Sequence, residues 1–411
     1  MGTPTTRPAR GVRGQLARSF GYTHPTFHEL PTPRIMPVLT YLTTTHFDFG
    51  AIKVLPSELR RHGITKPLFV TDAGVRAAGL LDRVLAAAPD HAAAPVFDGT
   101  PGNPTESATL AALALYRDGG CDGVVCLGGG SSMDLGKAVA LLAVSGEPLA
   151  QYDPLQGGGK KVRGIAPVIC VPTTAGTGSE VSVGFVIILN DGRKLTFASP
   201  QFIPRTAICD PELTLGLPPM MTAATGMDAI THCIEAVLAP TVNPPADGIG
   251  LDGLRRGWRA IEAAVANGAT DRQARWDMMM ASTEGALAFV KGLGAVHAMS
   301  HAVGRRHDLR AHHGTLNALI LPAVLRFNES VCAEKYARLR QAMDLDAGAD
   351  LAAAVAARNR AIGLPSGLAA LGVTAEMIPD LVPHALADLA HFGNPRKASA
   401  EDYAQLFRES L

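Results

Sequence analysis

GVVCLGGGSSMD, residues 123–134, decides the fold class. The run 123–127 carries no charged side chain and reads as a strand buried on both faces, as strands of a covered parallel sheet are. The strand runs directly into Gly128-Gly129-Gly130-Ser131-Ser132-Met133-Asp134, after which a helical pattern starts. Glycines let a bulky anion approach the backbone, and the unpaired N–H groups at a helix start favour phosphate there. The stretch fits neither GxGxxG nor the P-loop pattern, because Ser131 stands where a P-loop needs a glycine and Ala138 follows Lys137.

The same alternation extends on both sides. Strand-like runs at 38–43, 67–71, 94–98 and 165–172 flank 123–127, with helical patterns at 75–87 and 105–118 between several of them. This is a βαβ repeat, which implies a parallel, Rossmann-like sheet with right-handed crossovers. From 206 onward the pattern becomes helical, with periodic segments at 219–238, 247–267, 271–291, 294–304, 314–327, 330–343 and 350–362. The Pro-rich 200–218 segment reads as the linker. A chain of 411 residues exceeds what one core supports, so we expect an α/β domain over 37–205 and an all-α domain over 206–411. Residues 1–36, rich in Thr, Pro and Arg, read as a flexible extension. Translation can start at Met1 or Met36, and an Arg-rich, acid-poor leader also resembles a transit peptide.

Charge and cysteine usage narrow the class. Lys plus Arg and Asp plus Glu are 37 each, which leaves no basic footprint for nucleic acid. The six cysteines show no CxxC pairing and read as reduced thiols of a cytoplasmic protein. There is neither a signal-peptide h-region nor an 18-residue apolar run, so no membrane partner is expected.

Chemistry concentrates in two further places. PTTAGTGSE, residues 172–180, packs hydroxyls and glycines behind a buried strand and can wrap a pyrophosphate or a nicotinamide carboxamide. Its bland alternative is a Ser/Thr turn with local caps. Asp72, ending the 67–71 run, can accept from an adenosine ribose and repel a 2′-phosphate, favouring NAD, although Asp also caps helices. In GMDAITHCIEA and VHAMSHAVG, Asp228 with His232 and His297 with His301 stand four apart, on one helix face each, with an HHG triplet downstream. A carboxylate with up to three neutral imidazoles suits a divalent ion such as Fe²⁺ or Zn²⁺.

The GGGSSMD turn, the PTTAGTGSEVS loop, GMDAITHCIEA and the HAMSH and HHG segments together resemble the iron-containing (group III) alcohol dehydrogenases over about residues 40–400, a family sharing the dehydroquinate-synthase-like architecture. TTTHFDFGAI, CDPELTLGLPP, APTVNPPADGIGLDGL and HHGTLNALILPAVLRFN are most similar to its NAD-dependent 4-hydroxybutyrate dehydrogenases. The resemblance implies metal ligands at Asp228, His232, His297 and His313, with His312 as rival for the last, because GRRHDLRAHHG is about two residues longer than in many members. It implies proton transfer by His301, a cofactor cleft of Asp72, Gly129, Gly130, Ser131, Asp134, Thr173, Thr174, Thr177 and Lys194, and Asn103 at the nicotinamide end. Arg305, Arg306 and Arg310 are candidates to hold a substrate carboxylate in a forked hydrogen bond. The expected activity is hydride transfer between NAD and a primary alcohol or aldehyde, with 4-hydroxybutyrate and succinic semialdehyde foremost. The alternatives are neutral alcohols or a non-redox metal lyase, and the resemblance also implies a homo-oligomer.

Overall fold

Strands that alternate their side chains between two covered faces must be apolar throughout, and the runs 67–70, 123–128 and 168–172 at the middle of the sheet show that arrangement. The computed structural model describes residues 1–2, 43–306, 308–309 and 311–411. Its strands are β1 (Thr44–Phe47), β2 (Pro67–Val70), β3 (Val96–Phe97), β4 (Gly123–Gly128), β5 (Val168–Pro172), β6 (Gly184–Ile188), β7 (Lys194–Ala198) and β8 (Thr206–Cys209). Six form one parallel sheet in the order β1-β8-β5-β4-β2-β3, and β6 pairs antiparallel with β7. Leu68, Val70, Val124, Cys126, Val168 and Cys170 enter one core, while Phe69, Val125, Leu127, Ile169, Val171 and Ile208 enter the other. Helices α1 (Leu55–Arg61), α2 (Ala73–Ala77) and α3 (Leu80–Ala87) come from the first part of the chain, followed by α4 (Glu106–Asp118) and α5 (Gly130–Ser145). Leu55, Leu59, Leu81 and Val84 pack under one face, and Ala112, Leu113 and Met133 under the other.

The strand order fixes where a ligand can sit. From β2 the chain moves outward to β3, and from β4 it moves the opposite way to β5. The switch point therefore lies between β2 and β4, and in open α/β sheets the crevice at the carboxyl ends of such strands is the binding place. Asp72 follows β2 there and the glycine turn follows β4.

The second half is helical: α6 (Pro219–Leu238), α7 (Pro244–Asn267), α8 (Arg272–Ala288), α9 (Ala295–Gly304), α10 (His313–Asn328), α11 (Ala333–Ala342), α12 (Leu351–Ala361), α13 (Ile378–Ala387) and α14 (Ala400–Ser410). Helix α6 is buried without interruption from Thr222 to Leu238, as a central helix must be, and α7, α8 and α10 surround it. The PTTAGTGSE loop reaches α8, where Glu180 Oε1 accepts from Thr283 Oγ1 at 3.0 Å, so sheet and helices pack within one compact unit. Among the described residues no single helix is long and apolar enough to cross a membrane.

Several local expectations change. Most of the expected 38–43 strand lies outside the described residues, and the edge strand is Thr44–Phe47. The expected 75–87 helix divides at Gly79, whose φ of 73° starts α3 from a left-handed residue. Strand β8 lies within the segment expected to be a linker, and the β6–β7 hairpin was not anticipated.

Candidate active site

The two glycine-rich motifs meet. A Cβ built on Gly130 would stand 2.6 Å from Thr177 Cγ2, and one on Gly129 would stand 3.4 Å from Thr174, so the 172–180 loop lies directly over the turn. Thr173 N donates to Gly128 O at 2.9 Å, and Ser131 Oγ donates to Gly102 O at 2.8 Å, tying the turn to the segment that carries Asn103. Asp72 does two things: Oδ1 caps α2 through Val75 N at 2.9 Å, and Oδ2 faces Ser132 Oγ at 3.3 Å beside the turn. Asp134 is turned into the protein, accepting from Ser179 Oγ at 2.6 Å and Val186 N at 2.9 Å. Lys194, at the start of β7, donates to Asn103 Oδ1 at 2.9 Å. Burial pushes its pKa down to about 8, against the pull of Asp388, Asp134 and Asp228.

Across a cleft of roughly 380 Å³ lies the second group. The Nε2 atoms of His232, His297 and His313 stand 3.8, 3.8 and 3.7 Å from a single oxygen, Asp228 Oδ1. Spacings of this size are a little wider than the corner-to-corner distances, about 3.3–3.6 Å, of a tetrahedral shell with bonds of about 2.0–2.2 Å, so the four atoms surround a volume that a divalent ion would draw together. The other ring nitrogens are engaged. His232 Nδ1 faces Gly176 O at 3.2 Å, and a carbonyl only accepts, so the proton sits there and Nε2 keeps its lone pair. His297 Nδ1 is 2.5 Å from Glu235 Oε2, and His313 Nδ1 is 3.5 Å from Ser300 Oγ. Burial lowers the His232 pKa to about 4 and holds His313 well below its usual value, so both are neutral at pH 7, as ligation requires.

Asn317 tests whether this donor set fits a cation. Its Nδ2 lies 2.7 Å from Asp228 Oδ1 and 3.1 Å from both His297 Nε2 and His313 Nε2, while its own buried Oδ1 has no partner. Two amide hydrogens cannot serve three acceptors. The convergence of acceptor atoms suits a divalent ion, and Asp228, His297 and His313 meet within 4.8 Å of one another.

His313 joins this cluster as the first residue of α10, whereas its neighbour His312 is the exposed N-cap. His301 lines the same cleft, its ring stacked on His313 at 5.2 Å and its Nδ1 held by Asp388 Oδ2 at 2.8 Å. The arginines are not brought into it. Arg305 turns to Asp380 at 3.5 Å and Arg306 to Asp308 at 2.7 Å, and neither lines the cleft, because acidic partners beyond α9 draw them outward. Arg310 lies outside the described residues. Sequence reasoning missed Glu235, Asn317 and Asp388. The first two were findable, three residues after His232 and four after His313 on their helices, but Asp388 is 87 residues from His301.

Known proteins resemble this chain over both of its halves. Residues 43–211 match the iron-containing alcohol dehydrogenase family and residues 222–411 match its C-terminal part. A 4-hydroxybutyrate dehydrogenase of Cupriavidus necator is 53% identical over 92% of this chain and 100% of its own length. A 1,3-propanediol dehydrogenase of Klebsiella pneumoniae is 35% identical over 89% of this chain and 96% of its own. The crystal structure of a 1,3-propanediol oxidoreductase superposes with a TM-score of 0.84 at 35% identity, covering 91% of this chain and all of that one. With both halves matched and every ligand type the sequence pointed to gathered in one cleft, the chain belongs to the iron-containing alcohol dehydrogenase family, whose members are oxidoreductases acting on alcohols and aldehydes.

Proposed function

We propose that the protein is an NAD-dependent, divalent-metal-dependent dehydrogenase that interconverts 4-hydroxybutyrate and succinic semialdehyde. The observation that carries the reading is the 53% identity to a 4-hydroxybutyrate dehydrogenase over that relative's whole length. Geometry supports the reaction class: the glycine turn and the 172–180 loop face Asp228, His232, His297 and His313 across one cleft.

A divalent ion, Fe²⁺ or Zn²⁺, held by those four side chains would supply Lewis acidity to the substrate oxygen, and NAD along the strand ends would take up the hydride. The chain's own groups do the rest. Gly129 and Gly130 open α5, whose unpaired N–H groups favour a pyrophosphate, and they let Thr174 and Thr177 pack directly against the turn. His301, with its Nδ1 proton committed to Asp388, keeps Nε2 available to take the hydroxyl proton. Phe289, Val290, Leu293 and Leu389 give the cleft an apolar wall suited to a short methylene chain. With Arg305 and Arg306 turned outward and the Lys291 ammonium paired with Asp247, Lys194 is, among the described residues, the cation that an incoming carboxylate meets.

The test is NADH formation by the anaerobically Fe²⁺-loaded protein with 4-hydroxybutyrate, 1-butanol and 1,4-butanediol. A higher kcat/KM for the acid is expected. A preference for the neutral alcohols would keep the family and remove the carboxylate reading.

A further inference from the structure

Helix α9 presents two histidines to the cleft, and the group behind His301 has no part in the donor set described above. Asp388 sits between the end of α13 and a short helical turn, Leu389–Gly393, and is buried to 8% exposure. Its two oxygens have different duties. Oδ1 accepts from Ala390 N at 2.8 Å and caps the turn, while Oδ2 accepts from His301 Nδ1 at 2.8 Å. The capping bond fixes the rotation of the carboxylate, and the rotation fixes the ring.

We propose that Asp388 is the positioning residue that holds His301 as the Nδ1–H tautomer, so that Nε2 carries the lone pair that receives the substrate hydroxyl proton. The inference rests on the reading of His301 as proton carrier. In alcohol oxidation the C–H bond breaks with both electrons leaving as hydride to the nicotinamide, the O–H bond breaks, and the proton forms a bond to Nε2 before passing to solvent. The imidazolium so formed keeps its Nδ1 hydrogen bond, now to an oppositely charged partner. The carboxylate, held by the His301 Nδ1–H and the Ala390 N–H, stands beside the ring and stabilises the imidazolium as it forms.

The capping bond also makes the substitution Asp388→Asn informative. Ala390 N needs an acceptor, so the amide oxygen takes the place of Oδ1 and the amide NH₂ is left facing His301. Nδ1 must then accept, the ring proton moves to Nε2, and the lone pair is lost from the cleft with hardly any change of shape.

A double-mutant cycle of Asp388→Asn and His301→Ala tests this, reading kcat, KM, bound metal and melting temperature in the metal-loaded protein. Asp388→Asn is expected to lower kcat by about 10²–10⁴-fold, with KM, metal content and melting unchanged and with no additional loss in the His301→Ala background. Equal losses in both backgrounds, or an unchanged kcat, overturn the proposal. If the Asn variant fails to fold or to hold metal, the same cycle is run with Asp388→Ser, which still caps Ala390 N but carries no charge. A His301→Ala variant with undiminished kcat would instead refute the role of His301, whatever Asp388 does.

Discussion

Replacing Glu235 with Gln should weaken metal binding without unfolding the protein, and the reason lies in how completely its carboxylate is used. Glu235 is 4% exposed; Oε1 accepts from Val296 N at 2.8 Å and Oε2 from His297 Nδ1 at 2.5 Å. Both partners donate, so both positions need acceptors. A glutamine offers one acceptor and one donor. Either its NH₂ faces Val296 N–H and one donor stays unsatisfied, or it faces Nδ1 and drives the ring proton onto Nε2, the atom aimed at Asp228. A lost hydrogen bond to a charged group is worth about 1.5–3 kcal/mol. At about 1.4 kcal/mol per decade that is roughly 10–100-fold in affinity, the range found when the outer partner of a ligating histidine is removed. The assay is competition for Zn²⁺ or Co²⁺ against a chromophoric chelator at pH 7, with melting of both proteins as control. An affinity within twofold of the parent, in a variant that melts normally, would refute the reasoning.

Three further outcomes are expected. Gly314→Ala places a Cβ 2.2 Å from Ala224 O and 3.2 Å from Asp228 Cβ, so α10 must back away from α6 and carry His313 with it; chelator competition should show weakened metal binding, and denaturant melts a cost of about 1–3 kcal/mol. Glu284 has its pKa pushed up to about 8, first by burial and then by Asp252. Because its folded value is raised, its stabilising contribution is complete below about 4.5 and is lost as pH rises through 8; urea melts of Glu284→Gln should match the parent at low pH and exceed it by a few kcal/mol above pH 8. Lys194, lowered to about 8, loses its charge above that pH. The ratio of KM for 4-hydroxybutyrate to KM for 1-butanol should then climb towards tenfold per pH unit, and a flat ratio would place the carboxylate elsewhere.

What the sequence revealed depended on how local each signal was. The central strands were readable because Val124, Val125, Cys126 and Leu127 need apolar neighbours on both faces and announce it in four consecutive letters. The β6–β7 hairpin was readable too, since GFVII and KLTFA flank an Asp191-Gly192 turn with Gly192 at φ 85°, a strong hairpin pattern that was passed over. Strand β8 was not, because four residues beside a proline-rich stretch look the same in a linker as in a sheet. At the site, four-residue spacing brought out Asp228, His232, His297 and His301 together. The choice between His312 and His313 turned on where α10 begins, and helix boundaries are the least legible feature of a sequence. The direction of Arg305 was not legible, since it is set by Asp380, 75 positions away, whereas Arg306 turns to its near neighbour Asp308.

Why neighbouring histidines on one helix should do different work is a question of what lies beyond Nε2, for the two are held alike. His297 and His301 each give Nδ1 to a buried carboxylate, Glu235 from α6 and Asp388 from the turn after α13. One helical turn apart, their rings meet edge to face at 5.9 Å, and the donors that meet within 4.8 Å of one another take in His297 but not His301. His297 Nε2 points at Asp228 Oδ1, where His232 and His313 also aim, and an atom sharing that volume with three other donors is spent on a cation. His301 lies outside that convergence, stacked against His313 on the side lined by Asp388, Leu389 and Ala390, and among the described residues no group hydrogen-bonds its Nε2. On the proposed reading, the same residue type with the same support would serve as a ligand where acceptors crowd and as a base where they do not. A carboxylate behind each ring serves both ends, raising the donor strength of the ligand and stabilising the charge of the base.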